Sequence, residues 1–556
     1  MNRLIDIPGT AARRASVPVA LGTGDLTLAE IAAVADHNSS TVLDPTAPTR
    51  MQASVDSLEA TLAAGRKVYG VNTLFGGLAD RAVPAAEAQQ LQQHLIESHN
   101  AGVGPDLERE DVRAAMAIRV NALARGASAI RSSVTQRYVD LLNLDVTPRV
   151  RALGSIGASG DLVPLAQIAG AACGLSKAFE LHYGGSLHPA PNLLKSFDLA
   201  PIELGPKEGL ALINGTAALT GIAARNVSEA RRLTNLNLAL HGLIAEVLRT
   251  DLRAFASFVQ QIKPHPGQIL VGDYLRTHLD GSGMTRDVAA VEADFAADSL
   301  VQDRYSIRCL PQFLGPIVED LARSARQVEV EINAVTDNPL VDASTGAFFH
   351  GGNFLGQHVA MAMDRMRLGI ALCAKHADAQ IMLLVDPAFS HGLTPSLMDP
   401  DADVAQVGLK PLQIVANSIA PLIEHRAAAL TLRFPTHAEQ CNQNVNSQGF
   451  SSALETRESL RLWRHHLAVT AIFAVQAALV RCRLDGLDWQ RDLAPTSARL
   501  VGTVREALDA RATTLLANGS SNASFAVWVE KIEHAIETGA LASQDTPLDP
   551  GFAGLE

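Results

Sequence analysis

The sequence predicts a mainly α-helical protein built around a bundle of long helices. Three observations carry that prediction. Apolar residues recur at steps of three and four through most of the chain, while strict alternation over strand-length windows is scarce. Leu314, Val318, Leu321, Ala325, Val328 and Ile332 form one such run, the seam of a helix packed along another helix. Ala, Leu and Val dominate, and aromatics are only 4%, so helices can approach closely through small side chains.

In chain order, helices are expected to begin near residues 27, 50, 84, 109, 134, 207, 353, 412, 450, 498 and 523, with Gly and Pro supplying the breaks. Short irregular or hairpin segments are expected at 177–191 and 340–352. The most apolar stretch, Leu467 to Val480, is interrupted by Gln476 and flanked by His465, His466 and Arg481. It reads as a buried helix too short to span a bilayer, so no membrane association is expected. The first residues, MNRLIDIPGTAARRASVP, lack the uninterrupted apolar core of a signal peptide.

Composition narrows the partners. A hydrophobic content of 47% over 556 residues supplies a large core. The net charge of −12, with no Lys/Arg-rich block, argues against nucleic acid. Cys173, Cys309, Cys373, Cys441 and Cys482 are odd in number and scattered without metal-ligand spacing. A reduced, cytoplasmic protein with no metal site is the expectation.

The decisive stretch is GSIGASGDLVPL at 154–165. Small residues crowd a turn, and Asp161 and Pro164 then stand where the first turn of a helix tolerates them. Attack of the Gly160 amide nitrogen on the Ala158 carbonyl carbon is closed to an extended backbone but accessible where glycine relaxes the steric limits. Loss of water from that ring and from Ser159 leaves an exocyclic alkene. The adjacent helix amino terminus favours electron density flowing into such an electrophile. Ala-Ser-Gly alone is common and reads equally as a plain turn before a helix.

The full string resembles the signature of the family of histidine, phenylalanine and tyrosine ammonia-lyases and related aminomutases. Further matching segments are VYGVNTLFGG at 68–77, EGLALINGT at 208–216, QDRYSIRCLPQFLGP at 302–316, EINAVTDNPL at 331–340, HGGNFLGQ at 350–357 and AEQCNQNVNSQG at 438–449. The pattern is most similar to the compact bacterial and cyanobacterial phenylalanine and tyrosine enzymes. The resemblance implies the long-helix bundle of the fumarase and histidine ammonia-lyase type. With it comes a division into a cofactor-bearing portion at 1–200, a central bundle at 201–484 and a helical segment at 485–556. It also implies a homotetramer with shared active sites, and a 4-methylideneimidazole-5-one group (MIO) formed from Ala158, Ser159 and Gly160, without external cofactor or metal.

Deamination must remove a weakly acidic Cβ proton and expel a poor leaving group, so it needs a base and an electrophile. By resemblance Tyr69, in a Gly-rich segment with Gly70, Gly76 and Gly77, is the base of a lid loop. A tyrosine near pKa 10 is mostly protonated at neutral pH, a deficit of about 4 kcal/mol that the site must relieve. Arg308 suits a bidentate grip on the substrate carboxylate, and Tyr305 takes a second proton-handling or positioning role. Asn214 resembles the amide that contacts MIO and substrate, Gln312 and Asn353 resemble further polar positioners, and Leu210 a pocket wall. Taken singly, each of these residues reads as ordinary packing, capping or a salt bridge.

Substrate choice falls on Ser98, His99 and Gln443. Phenylalanine-selective relatives tend to place an aromatic and an apolar residue at 98 and 99, whereas one group of tyrosine enzymes, and the histidine enzymes, carry Ser-His. Histidine ammonia-lyases typically place a glutamate at the position of Gln443, and a neutral amide suits phenylalanine or tyrosine. The residues therefore rank tyrosine first, converted to p-coumarate and ammonia, then phenylalanine, then histidine. An aminomutase uses the same residues, and an inactive helical scaffold is the non-enzymatic alternative. The fumarase and argininosuccinate lyase group is disfavoured, because Gly281-Ser-Gly-Met284 is followed by Thr285 and Arg286 where its flexible signature has Pro and Lys.

Overall fold

A computed structural model describes residues 17–286, 302–401, 406–517 and 524–541. Helices dominate, and the longest are Ala217–Val247, Leu310–Ile332, Gln357–Val385 and Gly449–Asp485. All six residues of the Leu314 to Ile332 seam are buried. Most expected helix starts fall within three residues of an observed one. Near 84 a 3-10 turn, Ala85–Glu87, precedes the Ala88–Ser98 helix, and near 353 the helix waits until Gln357. The two segments expected to be irregular or hairpin are both hairpins, Glu180–Tyr183 with Ser186–Pro189 and Leu340–Asp342 with Ala347–Phe349. Short strands such as Val103–Asp106 and Arg151–Leu153 carry no sequence alternation that would have announced them.

The Leu467 to Val480 stretch lies inside a 37-residue helix, which corrects the expectation of a short one. Length and apolarity would let this helix and Gln357–Val385 cross a membrane, but 89% of the first one's most apolar window is buried within the chain itself.

Contacts group the chain into two compact units, 1–225 with 327–361 and 430–454, and 226–326 with 362–429 and 455–556. Four of the five boundaries fall inside the long helices. Composition marks linkers, and a boundary that falls inside a helix leaves no linker to mark.

In the second unit the long helices meet through buried polar side chains. His241 Nδ1 donates to Gln380 Oε1 at 2.6 Å, and the His241 ring stands edge-on to His376, which lies against Phe313. Burial pushes His241 down to about 4, and burial together with the neighbouring His241 pushes His376 down to about 3. An unfolded histidine titrates near 6.5, so between there and about 4 the unfolded chain binds protons that the fold excludes. Stability is full above that window and falls as pH drops through it, by about 1.4 kcal/mol per pH unit per site at most. His376→Phe should therefore shrink the loss of the urea midpoint between about pH 7 and about pH 5. An unchanged loss would place the acid-sensitive groups elsewhere.

Candidate active site

The site lies in the first unit and is built around the Ala158-Ser159-Gly160 turn. Gly160 has φ +71°, and a Cβ there would stand 2.1 Å from the Gly215 carbonyl oxygen. Only glycine permits both that conformation and that approach. The two backbones pair as a short parallel bridge, and Asp161 N–H donates to Gly215 O at 2.8 Å. From the other side, Ser447 Oγ and N–H both donate to Gly157 O, and Gln448 N–H donates to Ile156 O. The turn is thus clamped between residues 214–215 and 447–448.

Asp161 departs from its expected place as a cap for the helix it precedes. Its side chain makes no capping bond to Leu162–Cys173. Instead it accepts from Leu219 N–H at 2.7 Å, in the first turn of Ala217–Val247, and from Ser155 Oγ at 3.1 Å. The carboxyl is wholly buried, which raises its pKa to about 7 despite those donors.

Two amides converge on Ser159. Asn214 Nδ2 donates to the Ser159 carbonyl oxygen at 3.0 Å, and Gln443 Nε2 donates to the Ser159 hydroxyl at 3.1 Å. Asn214 Oδ1 is buried with no partner among the described residues, an acceptor left open for a ligand. Behind Asn214, the fully buried Arg119 donates to the carbonyl oxygens of Thr336, Asn214 and Ala211 and fixes the end of the Glu208–Ile213 helix.

A cavity of about 350 Å³ opens over this turn. Tyr69, Ser98, His99, Ser159, Leu210, Asn214 and Gln443 all line it, so seven of the residues singled out from sequence meet in one place. The Tyr69 hydroxyl accepts from Gly76 N–H at 2.8 Å, and its ring stands edge-on to Phe75 and His350. Burial, with the Glu439 charge, outweighs the Gly76 N–H and holds the phenol pKa above the ordinary tyrosine value, so the groups of this chain do not relieve the expected deficit.

Four expected positioners do not line the cavity. Asn353 is exposed in the first unit. Tyr305, Arg308 and Gln312 belong to the second unit, where the Arg308 guanidinium stacks over the Tyr305 ring at 4.5 Å and Gln312 Nε2 donates to Gln260 Oε1. The reason is local. The short Tyr305–Arg308 helix leaves Tyr305 72% exposed and packs Arg308 against it.

Sequence reasoning passed over Glu439, Phe75, Leu91, His94 and Leu95, which complete much of the lining. The last three share a helix face with Ser98 at steps of three and four, a spacing that could have revealed them. Glu439 carried no such signal, since its place follows from three consecutive left-handed residues, Glu439, Gln440 and Cys441.

A phenol that can take a proton stands in one cavity with a serine whose two oxygens are held by amides. With the fold, that site fits the carbon–nitrogen lyases that release ammonia. Comparison with known proteins is more particular: the sequence pattern described as "Aromatic amino acid lyase" matches residues 26–506, and the chain belongs to that family, one of MIO-dependent ammonia-lyases. It is 43% identical over 492 residues to the phenylalanine ammonia-lyase of Nostoc punctiforme, covering 88% of this chain and 86% of that one. It is 40% identical over 497 residues to the aromatic ammonia-lyase of Loktanella atrilutea, covering 89% and 91%. The crystal structure of tyrosine aminomutase from Streptomyces globisporus is similar with a TM-score of 0.86 and 27% identity, covering 97% of this chain and 99% of that one. The fold is thus the mainly helical one of the histidine ammonia-lyase type.

Proposed function

We propose that this chain deaminates L-phenylalanine to trans-cinnamate and ammonia, with MIO formed from Ala158, Ser159 and Gly160. The observation that carries the reading is the clamp on the turn: Gly160 pressed against Gly215, and Asn214 and Gln443 aimed at the two oxygens of Ser159. These residues fit the group. The Ser159 carbonyl becomes part of the ring, and an amide donor on it withdraws electron density, as a positioned donor on a developing oxyanion does. Once formed, MIO supplies an electrophilic alkene that makes the amine a better leaving group. Tyr69 takes the Cβ proton, helped by the Gly76 N–H that stabilises its phenolate. Leu210, Leu91 and Leu95 pack the aromatic ring.

Phenylalanine displaces tyrosine from the first rank because the relative at 43% identity is a phenylalanine ammonia-lyase. Chromatography of products from phenylalanine, tyrosine and histidine, with detection of β-amino acids, tests this together with intact mass. Cinnamate should form with the highest kcat/KM on a chain two water molecules lighter than encoded. An unmodified mass in active protein removes the cofactor, and a dominant β-amino acid product makes the enzyme a mutase.

One observation favours tyrosine as a second reading. His99 Nδ1 lies 2.7 Å from the Leu95 carbonyl, an acceptor only, so the ring proton sits on Nδ1 and Nε2 is left as an acceptor for a phenol. Ser98 is turned back on the same carbonyl and leaves space beside it. If His99 binds a phenol, Ser98→Phe with His99→Leu should move the Tyr/Phe kcat/KM ratio toward phenylalanine by roughly 5–150-fold. An unchanged ratio in protein with the full mass loss returns His99 to a helix-capping role.

A homotetramer completes the proposal. Among the described residues no Arg or Lys lines the cavity, so no guanidinium or ammonium there pairs with a substrate carboxylate. Tyr305 is exposed beside Arg308, and Leu368, Leu372 and Met382 form an exposed apolar stripe on Gln357–Val385. A neighbouring copy that covers the stripe and supplies Arg308 answers both. Sedimentation velocity should show a tetramer, and an active monomer would sink the shared site. A cytoplasmic location fits the five free cysteines.

A further inference from the structure

We propose that Gln92 is a positioning residue that ties the lid carrying Tyr69 to the wall of the substrate cavity. Gln92 sits on the Ala88–Ser98 helix and is fully buried. Its Nε2 donates to Gly70 O at 2.8 Å, one residue from Tyr69, and its Oε1 accepts from Leu210 N–H at 3.0 Å. One carbonyl and one N–H fix the orientation of the amide, because reversing it would leave both bonds unmade.

Each end of the amide serves a backbone group with a particular need. Leu210 N–H is the third amide of the Glu208–Ile213 helix, whose Lys207 cap offers no side-chain bond. Gln92 therefore caps this helix from a neighbouring element. Gly70 has φ +66°, and a Cβ there would stand 2.7 Å from Leu210 Cδ2 and 2.8 Å from Phe75. Lid and wall are in contact at this point, and the planar amide sets their spacing. A base displaced by about 1 Å can lose on the order of 10²-fold in rate. Gln92 thus acts through Tyr69 and Leu210 and touches no substrate.

This inference rests on the reading of Tyr69 as the base, and the experiment separates the two. In Gln92→Glu, one carboxylate oxygen still caps Leu210 N–H while the other faces Gly70 O and repels it. When that carboxyl is protonated its O–H donates to Gly70 O and restores the tether. Burial raises the pKa of such a group, by up to about 3–5 units. At alkaline pH Q92E should show a kcat roughly 10–100-fold below wild type, with a smaller change in KM and the full two-water mass loss. The ratio of variant to wild-type kcat should then climb as pH falls.

Other titratable groups on the packed elements are Tyr69 of the lid, Lys207 and Glu208 at the head of the capped helix, Asp161 and Cys173 at the two ends of Leu162–Cys173, Glu87 in the turn before the Gln92 helix, and His94, Glu97 and His99 on that helix. They are common to both proteins, so the ratio cancels them. Gln92→Met, which lacks both bonds, should lose kcat at every pH and exchange lid amides at 70–79 faster. It carries the test if Q92E does not fold.

Wild-type kcat in Q92E across the pH range overturns the proposal. So does a pH-independent loss that runs in parallel with lower Tm or incomplete mass loss, since that is a structural role. If Tyr69→Phe retains full activity, the reading of Tyr69 has failed. If Tyr69→Phe is inactive while Q92E and Q92M are both wild type, only Gln92 has failed.

Discussion

Ser159→Ala is expected to fold with an unchanged Tm and to lose activity by roughly 10³-fold or more, beyond the 10²–10³ that follows removal of one positioned donor. The side chain is needed because its hydroxyl must leave for an alkene to form, and alanine has nothing to expel. The fold has little use for that hydroxyl. Its bond from Gln443 is half-buried, whereas the clamps on the turn run through the backbones of Ile156, Gly157, Gly160 and Asp161. Differential scanning calorimetry, intact mass and turnover on one preparation decide the matter. Turnover near wild type would remove MIO from the reaction.

Tyr69→Phe is the second large effect, expected at roughly 10²–10⁴-fold in kcat. The ring keeps its edge-on contacts with Phe75 and His350, so packing survives. What goes is the oxygen that accepts from Gly76 N–H, a bond whose net loss costs about 0.5–1.5 kcal/mol. The Gly76 amide lies in a part-buried loop, so Tm should fall by only a few degrees. The mass should still fall short of the encoded one by two waters, because the turn at 158–160 is untouched. Activity lost in proportion to stability would mark Tyr69 as a packing residue.

The helices were legible because their burial is periodic, and the site was legible where it is a string. Ser159, Asn214 and Gln443 stand in segments of unusual composition, and each proves to touch the same turn or its lining. Gln92 and Arg119 were not legible. A buried glutamine and a buried arginine in amphipathic helices look like surface residues until the carbonyls they serve are known, and those lie 22 to 217 positions away. Asp161 shows the same limit, since a helix-start aspartate gave no sign that it caps a different helix. Tyr305 and Arg308 form a visible pair in the sequence, and the structure keeps them together, with the guanidinium over the ring.

The clamp on the Ala158-Ser159-Gly160 turn joins residues made at very different moments. Gly215 follows the turn closely, but Ser447 and Gln448 lie almost three hundred residues later in the chain. At about 5–20 residues per second of synthesis, the turn leaves the ribosome roughly 15 to 60 s before its second wall exists. If the proposed MIO forms only between both walls, its closure must wait until most of the polypeptide has been made, and no electrophile appears on a chain that lacks Ser447 and Gln448.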